Sequence, residues 1–110
     1  MQIAVEEHEK ALVIRLGGHL GHSSVDEVGR VFNGWLDKGR LNFIIDMTGL
    51  QYVSSAGLRF FYEESAKVNS LKGKLILCGM QAAVKQVFDV SGFTSFFSIC
   101  ATIPNALKQV

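Results

Sequence analysis

Four scarcities bound this chain before any motif is read. It has a single proline, Pro104, so no residue before it is barred from a helix or strand by a missing N–H. It has only two cysteines, Cys78 and Cys100. Neither sits in a closely spaced pair of the kind that holds zinc, and both fall in or beside apolar stretches. They read as two buried free thiols in a reducing compartment, with no case for a metal or a disulfide. No apolar run approaches the ~18 residues of a membrane span, and the N-terminus lacks the basic-then-apolar profile of a signal peptide. An excess of either charge is missing as well. Eleven basic residues stand against ten acidic ones, a net charge of +1 with no basic block or acidic tail. Nucleic acid and anionic membrane are therefore poor partners, and a cytoplasmic protein is expected.

What is present is a well-fed core. Apolar residues make up 48% of the 110, too many for a disordered chain and enough for one domain spanning residues 1–110. There is no internal repeat, linker or low-complexity run. Gln2 to Glu6 and Ala11 to Leu16 read as two strands around a polar turn at Glu7-His8-Glu9-Lys10, a hairpin. A loop from Gly17 to His22 follows. Ser24 with Glu27 three residues on fits a capping box, and Val25, Val28, Phe32 and Leu36 mark one face of a helix that stops at Gly39.

The stretch Leu41 to Arg59 organises the rest. Phe43-Ile44-Ile45 has no polar alternation, as in a strand covered on both faces, and it ends at Asp46, where Thr48-Gly49 supplies turn chemistry at a surface edge. Ser54-Ser55 then precedes a helical pattern of Leu58, Phe61, Tyr62, Ser65 and Ala66 that runs to about Ser70. Beyond a turn at Lys72-Gly73 come a strand from Leu75 to Cys78, a short helix from Gln81 to Val90 stopped by Ser91-Gly92, and a last strand from Phe96 to Ala101. A terminal helix from Asn105 to Val110 opens near Pro104. A hairpin followed by alternating helices and strands on short connections argues an α/β domain with a small mixed sheet and about four helices.

A serine at a helix start has a physical consequence. The first turn carries unpaired N–H groups and a partial positive charge, so a phosphate on Ser54 or Ser55 is locally tolerated. Ala56 and Gly57 beside them predict a low surface suited to contact with another protein. Arg59, one helical turn past Ser55, is placed to reach that phosphate or a partner's acidic group, or is simply a solvated arginine.

Asp46-Met47-Thr48 followed by Tyr52-Val53-Ser54-Ser55-Ala56-Gly57-Leu58 resembles the signature of the STAS domain family, to which the bacterial anti-sigma factor antagonists belong. The likeness continues through Ile14 to Leu20, Gly73 to Gly79 and Val84 to Phe93, in order along essentially the whole chain. The resemblance implies a single α/β STAS domain with the phosphoacceptor two residues before the motif glycine, which is Ser55 here. It implies partner switching: binding to an anti-sigma factor that is also a serine protein kinase, release on phosphorylation of Ser55, and resetting by a PP2C-type serine phosphatase. Ser54 stands where switch members usually carry aspartate. That departure keeps open an alternative, a STAS module that binds a protein or small ligand without being phosphorylated.

The resemblance also implies partner contact from Ser54, Ser55, Ala56, Gly57 and Arg59, and from the loop holding His19, Gly21 and His22. Typical members carry acidic residues at His19 and Gly21, so this loop would be less acidic than usual. Two loop histidines without further ligands are ordinary surface residues more often than a metal site. Exposed apolar area near Tyr52 and Phe60 would suit a homodimer, although aromatic side chains at such spacing more often belong to the core. No catalysis is expected, because the serines lack a Gly-x-Ser-x-Gly elbow and the three histidines all lie near the N-terminal hairpin and its loop. No cofactor is expected either, since no phosphate-cradling glycine motif appears.

Overall fold

The computed structural model describes residues 1–110. Five strands form one sheet in the order β1 (Gln2–Glu7), β2 (Leu12–Leu20), β3 (Asn42–Val53), β4 (Lys74–Cys78) and β5 (Ser98–Cys100). The opening hairpin makes β1 antiparallel to β2, and every later pair is parallel because a helix intervenes. The helices are α1 (Val25–Asp37), α2 (Ser55–Ser70), α3 (Ala82–Ser91) and α4 (Ile103–Leu107). This is the α/β architecture expected from the sequence.

The sheet is apolar on both faces, which explains the missing alternation at Phe43-Ile44-Ile45. Leu12, Ile14, Leu16, Phe43, Ile45, Met47, Leu75 and Leu77 meet α1, α2 and α3 through Val28, Phe32, Leu58, Phe61, Val68, Val84 and Phe88 in one large cluster. Ala11, Val13, Ile44, Ile76 and Cys78 point the other way and are closed by Ala106 of α4 in a small one. Burying a side chain of this size contributes ~1.5–3 kcal/mol.

Several local expectations are corrected. Thr48-Gly49 does not turn; β3 runs on to Val53 and takes the chain well past the end of β4. Gly49 pairs with Gly17 of β2, and the ladder shifts register between Arg15 and Gly17 and again between Gly18 and His19. A side chain at Gly49 would press the Leu16 carbonyl oxygen at 3.3 Å, so the glycines serve close strand approach. The expected loop from Gly17 is thereby shortened, since β2 reaches Leu20. Asp46 is buried rather than at an edge. Its carboxylate accepts from Arg15 Nη1 at 2.7 Å and from the Thr48 backbone N–H and hydroxyl at 3.1 and 3.0 Å.

The Ser24–Glu27 capping box does not form. Ser24 lacks a cap hydrogen bond, and its hydroxyl instead accepts from Gly21 N–H and faces the His19 carbonyl, closing the loop. On α2 the buried positions are Gly57, Leu58, Phe61, Glu64, Ser65 and Val68, while Tyr62 and Ala66 are exposed. Phe96 closes a 3₁₀ turn (Thr94–Phe96) ahead of the short β5, and α4 ends at Leu107, short of Val110. Gly92 does end α3, in the left-handed conformation with φ 82°. Cys78 is buried, but Cys100 is only half-buried.

Candidate functional site at the start of α2

The extension of β3 beyond the sheet delivers the paired serines, and the two have different surroundings. Ser54 is tied down. Its N–H donates to the Leu20 carbonyl at 2.9 Å, its carbonyl accepts from Leu58 N–H, and its hydroxyl accepts from Gly57 N–H at 3.3 Å as the N-cap of α2. Ser55, the first helical residue, is exposed and its hydroxyl has no protein partner. Unpaired N–H groups and the positive end of the helix lie beneath it.

Around Ser55 the surface is grooved. One cleft of about 650 Å³ is lined by Ser55, Leu58, Arg59, Tyr62, Glu63, Ser91 and Phe93, and an adjoining one of about 410 Å³ runs past Tyr52, Val87 and Val90. Arg59 is exposed, enters no ion pair and borders both this cleft and the one between α1 and α2. The fold also brings the β2–α1 loop here. A side chain at Gly21 would touch the Ser54 hydroxyl at 3.4 Å, and His19, opposite Tyr52 in the ladder, meets its ring edge-on at 6.0 Å. His22 is exposed on the same loop. Ala56 lines a separate cleft between α1 and α2.

Gly57 does not belong to this surface. It is buried, and an added Cβ would lie 2.9 Å from both the Leu20 carbonyl oxygen and Val53 Cγ1. Its task is to let α2 start against the end of β2, which corrects the expectation of a glycine open to a partner. The sequence reading also missed the apolar flank that α3 contributes. Val90 is 81% exposed and Tyr62 41%. The available signal was Val90 lying outside the buried face set by Val84 and Phe88, immediately before the helix stop.

The profile of the STAS domain family matches residues 2–106. The chain belongs to the STAS domain family. BtrV of Bordetella bronchiseptica is 28% identical over 99 residues, covering 90% of this STAS chain and 85% of that protein. The anti-sigma F factor antagonist of Paenibacillus polymyxa is 26% identical over 111 residues, covering 100% and 95%. Among solved structures, the tm1081 protein of Thermotoga maritima superposes with a TM-score of 0.92 at 16% identity, covering 98% of this chain and 93% of that one. SpoIIAA of Bacillus, solved in unphosphorylated and phosphorylated forms, gives 0.81 and 0.75 at 22% identity, over 98% of this chain and 95% and 98% of those. At these identities the structures attest the fold. Anti-sigma factor antagonists, as which the sequence relatives are named, are non-enzymatic regulators. No group of three or more His, Cys, Asp or Glu side chains is placed to hold a metal, and no helix is long and apolar enough to cross a membrane.

Proposed function

We propose that this STAS protein is an anti-sigma factor antagonist of the partner-switching kind, acting in the cytoplasm. Unphosphorylated, it binds an anti-sigma factor that is also a serine kinase; phosphorylated on Ser55, it is released, and a PP2C-type phosphatase resets it. The observation that carries the reading is the division of labour between the serines. Ser54 is occupied as the cap, whereas Ser55 is exposed, unbonded and bordered by an apolar groove and an unpaired Arg59. A phosphate there adds roughly −1.5 to −2 charge at a surface otherwise suited to close contact, and repulsion plus desolvation weaken the contact. A loss of ~1.4 kcal/mol already lowers affinity tenfold. Residues Ser54, Ser55, Ala56 and Arg59 with His19, Gly21 and His22 would form the contact surface. The names of the sequence relatives and the two forms of SpoIIAA support this reading.

The test is the intact mass of the protein purified from its native cells, beside a Ser55→Ala variant, with and without a PP2C-type phosphatase. One phosphatase-sensitive phosphoryl group, absent in Ser55→Ala, is the expected result. Absence of any phosphorylated species across growth conditions sinks the switch. A second reading, a STAS module that binds constitutively or pairs with a second copy, is favoured by one observation, the neutral Ser54 immediately before the acceptor.

A further inference from the structure

Cys78 and Cys100 are far apart in sequence but directly opposite each other on β4 and β5. Residues in register on adjacent strands share a face with Cα atoms ~4.8 Å apart, inside the ~4.4–6.8 Å that a disulfide spans. Both thiols are free, and both pack in the small apolar cluster under α4. Cys78 is fully buried, whereas Cys100 is half-buried, its thiol 3.7 Å from the Thr102 carbonyl oxygen. The partner strand β5 is only three residues long and lies at the sheet edge, so it can adjust by the small amount a bond requires. We propose that Cys78 and Cys100 are an oxidisable dithiol that closes, slowly, to a disulfide and pins β5 and α4 to β4.

The chemistry follows from the burial of each sulfur. Desolvation, reinforced by the neighbouring Asp46 carboxylate, pushes the Cys78 thiol up to about 12, and desolvation raises Cys100 as well. The resting pair is therefore a protonated, slowly reacting dithiol. Oxidant enters at Cys100, the sulfur with solvent access. Its thiolate attacks a hydroperoxide, the O–O bond breaks, Cys100 becomes a sulfenic acid, and the other oxygen leaves as alcohol or water. The Cys78 sulfur then attacks the Cys100 sulfur, forming the S–S bond as the S–O bond breaks, and the hydroxyl departs with the Cys78 proton as water. Two thiols lose two electrons and one peroxide bond gains them. The closed segment contains all of α3, which carries Val87, Val90 and Ser91 beside Ser55, so the bond restrains one wall of the Ser55 clefts.

The experiment treats the full chain with hydrogen peroxide, blocks remaining thiols, digests with trypsin without reductant and maps the peptides. Cleavage after Lys74, Lys85 and Lys108 puts Cys78 in 75–85 and Cys100 in 86–108. The expected product is monomeric, about 2 Da lighter by loss of two hydrogens, with those two peptides joined until reductant is added. Its melting temperature rises by ~5 °C or more, as closing a loop of this length predicts. Cys100→Ser, at the accessible position, abolishes the linked peptide. A disulfide-linked dimer, or Cys100 driven to sulfinic acid while Cys78 still takes the blocking reagent, overturns the proposal. Because the wild-type peptide map decides the matter, the result does not depend on any variant folding.

Discussion

Replacing each serine of the pair by alanine separates anchoring from signalling. Ser54→Ala removes the oxygen that accepts from Gly57 N–H, and at 3.3 Å that bond is long. Loss of a serine cap costs about 0.5–2 kcal/mol, and the length of this bond places it in the lower half, ~0.5–1 kcal/mol. At ~2.1 cal/mol/K per residue, a chain of this size has an unfolding entropy near 0.23 kcal/mol/K, so the melting temperature should fall by about 2–4 °C. Ser55→Ala removes an exposed hydroxyl with no partner and should move it by less than ~1 °C. Ser54→Asp, which restores an acceptor and adds a negative charge at the positive end of α2, should match or exceed the parent. The assay is thermal unfolding by circular dichroism at neutral pH. If Ser55→Ala destabilises as much as Ser54→Ala, or Ser54→Ala is neutral, the assignment of cap and free hydroxyl is wrong.

Other substitutions test the frame around the site. Gly57→Ala drives a methyl group into the Leu20 carbonyl oxygen and Val53; overpacking of ~1–3 kcal/mol outweighs a helix-propensity gain of ~1 kcal/mol, and a variant that melts higher than the parent refutes the contact. Arg15→Ala leaves buried Asp46 with only its Thr48 partners, a loss of ~1–3 kcal/mol in urea unfolding that adding Asp46→Asn should partly recover; simple additivity of the two argues against the pair. Acid should destabilise through two carboxyls. Glu6 is held below its usual range first by its hydrogen bond to His8 and then by Arg15, Asp89 first by Thr94 and then by Lys85. Folded values below the unfolded ones mean that this stabilisation is complete above the ordinary carboxylate range and is lost as pH falls through the lowered values. Thr94→Val should move the Asp89 titration upward by carboxyl NMR, and an unmoved curve removes Thr94 as the cause.

The sequence alone determined the order of the elements, the mixed sheet and the helix start at the serines. These follow from local pattern: apolar runs, helical spacing, a glycine stop and a signature read in consecutive residues. Tertiary structure decided what depends on partners distant in the chain. Thr48-Gly49 has turn chemistry, yet Gly17 across the ladder keeps it in β3, and only that extension sets Ser54 beside Leu20. Tyr62 fits the apolar helical pattern but lies at the rim, stacked on Phe96 and partly exposed, because the face of α2 that is buried is set by where β3 and β4 lie. Gly57 looked like an opening for a partner until the end of β2 filled the space. Cys78 and Cys100 read as two unrelated thiols, since strand register is a matter of pairing and leaves no mark on the spacing between them. Local periodicity records the secondary structure, while proximity between residues from separate elements arises only when the sheet assembles.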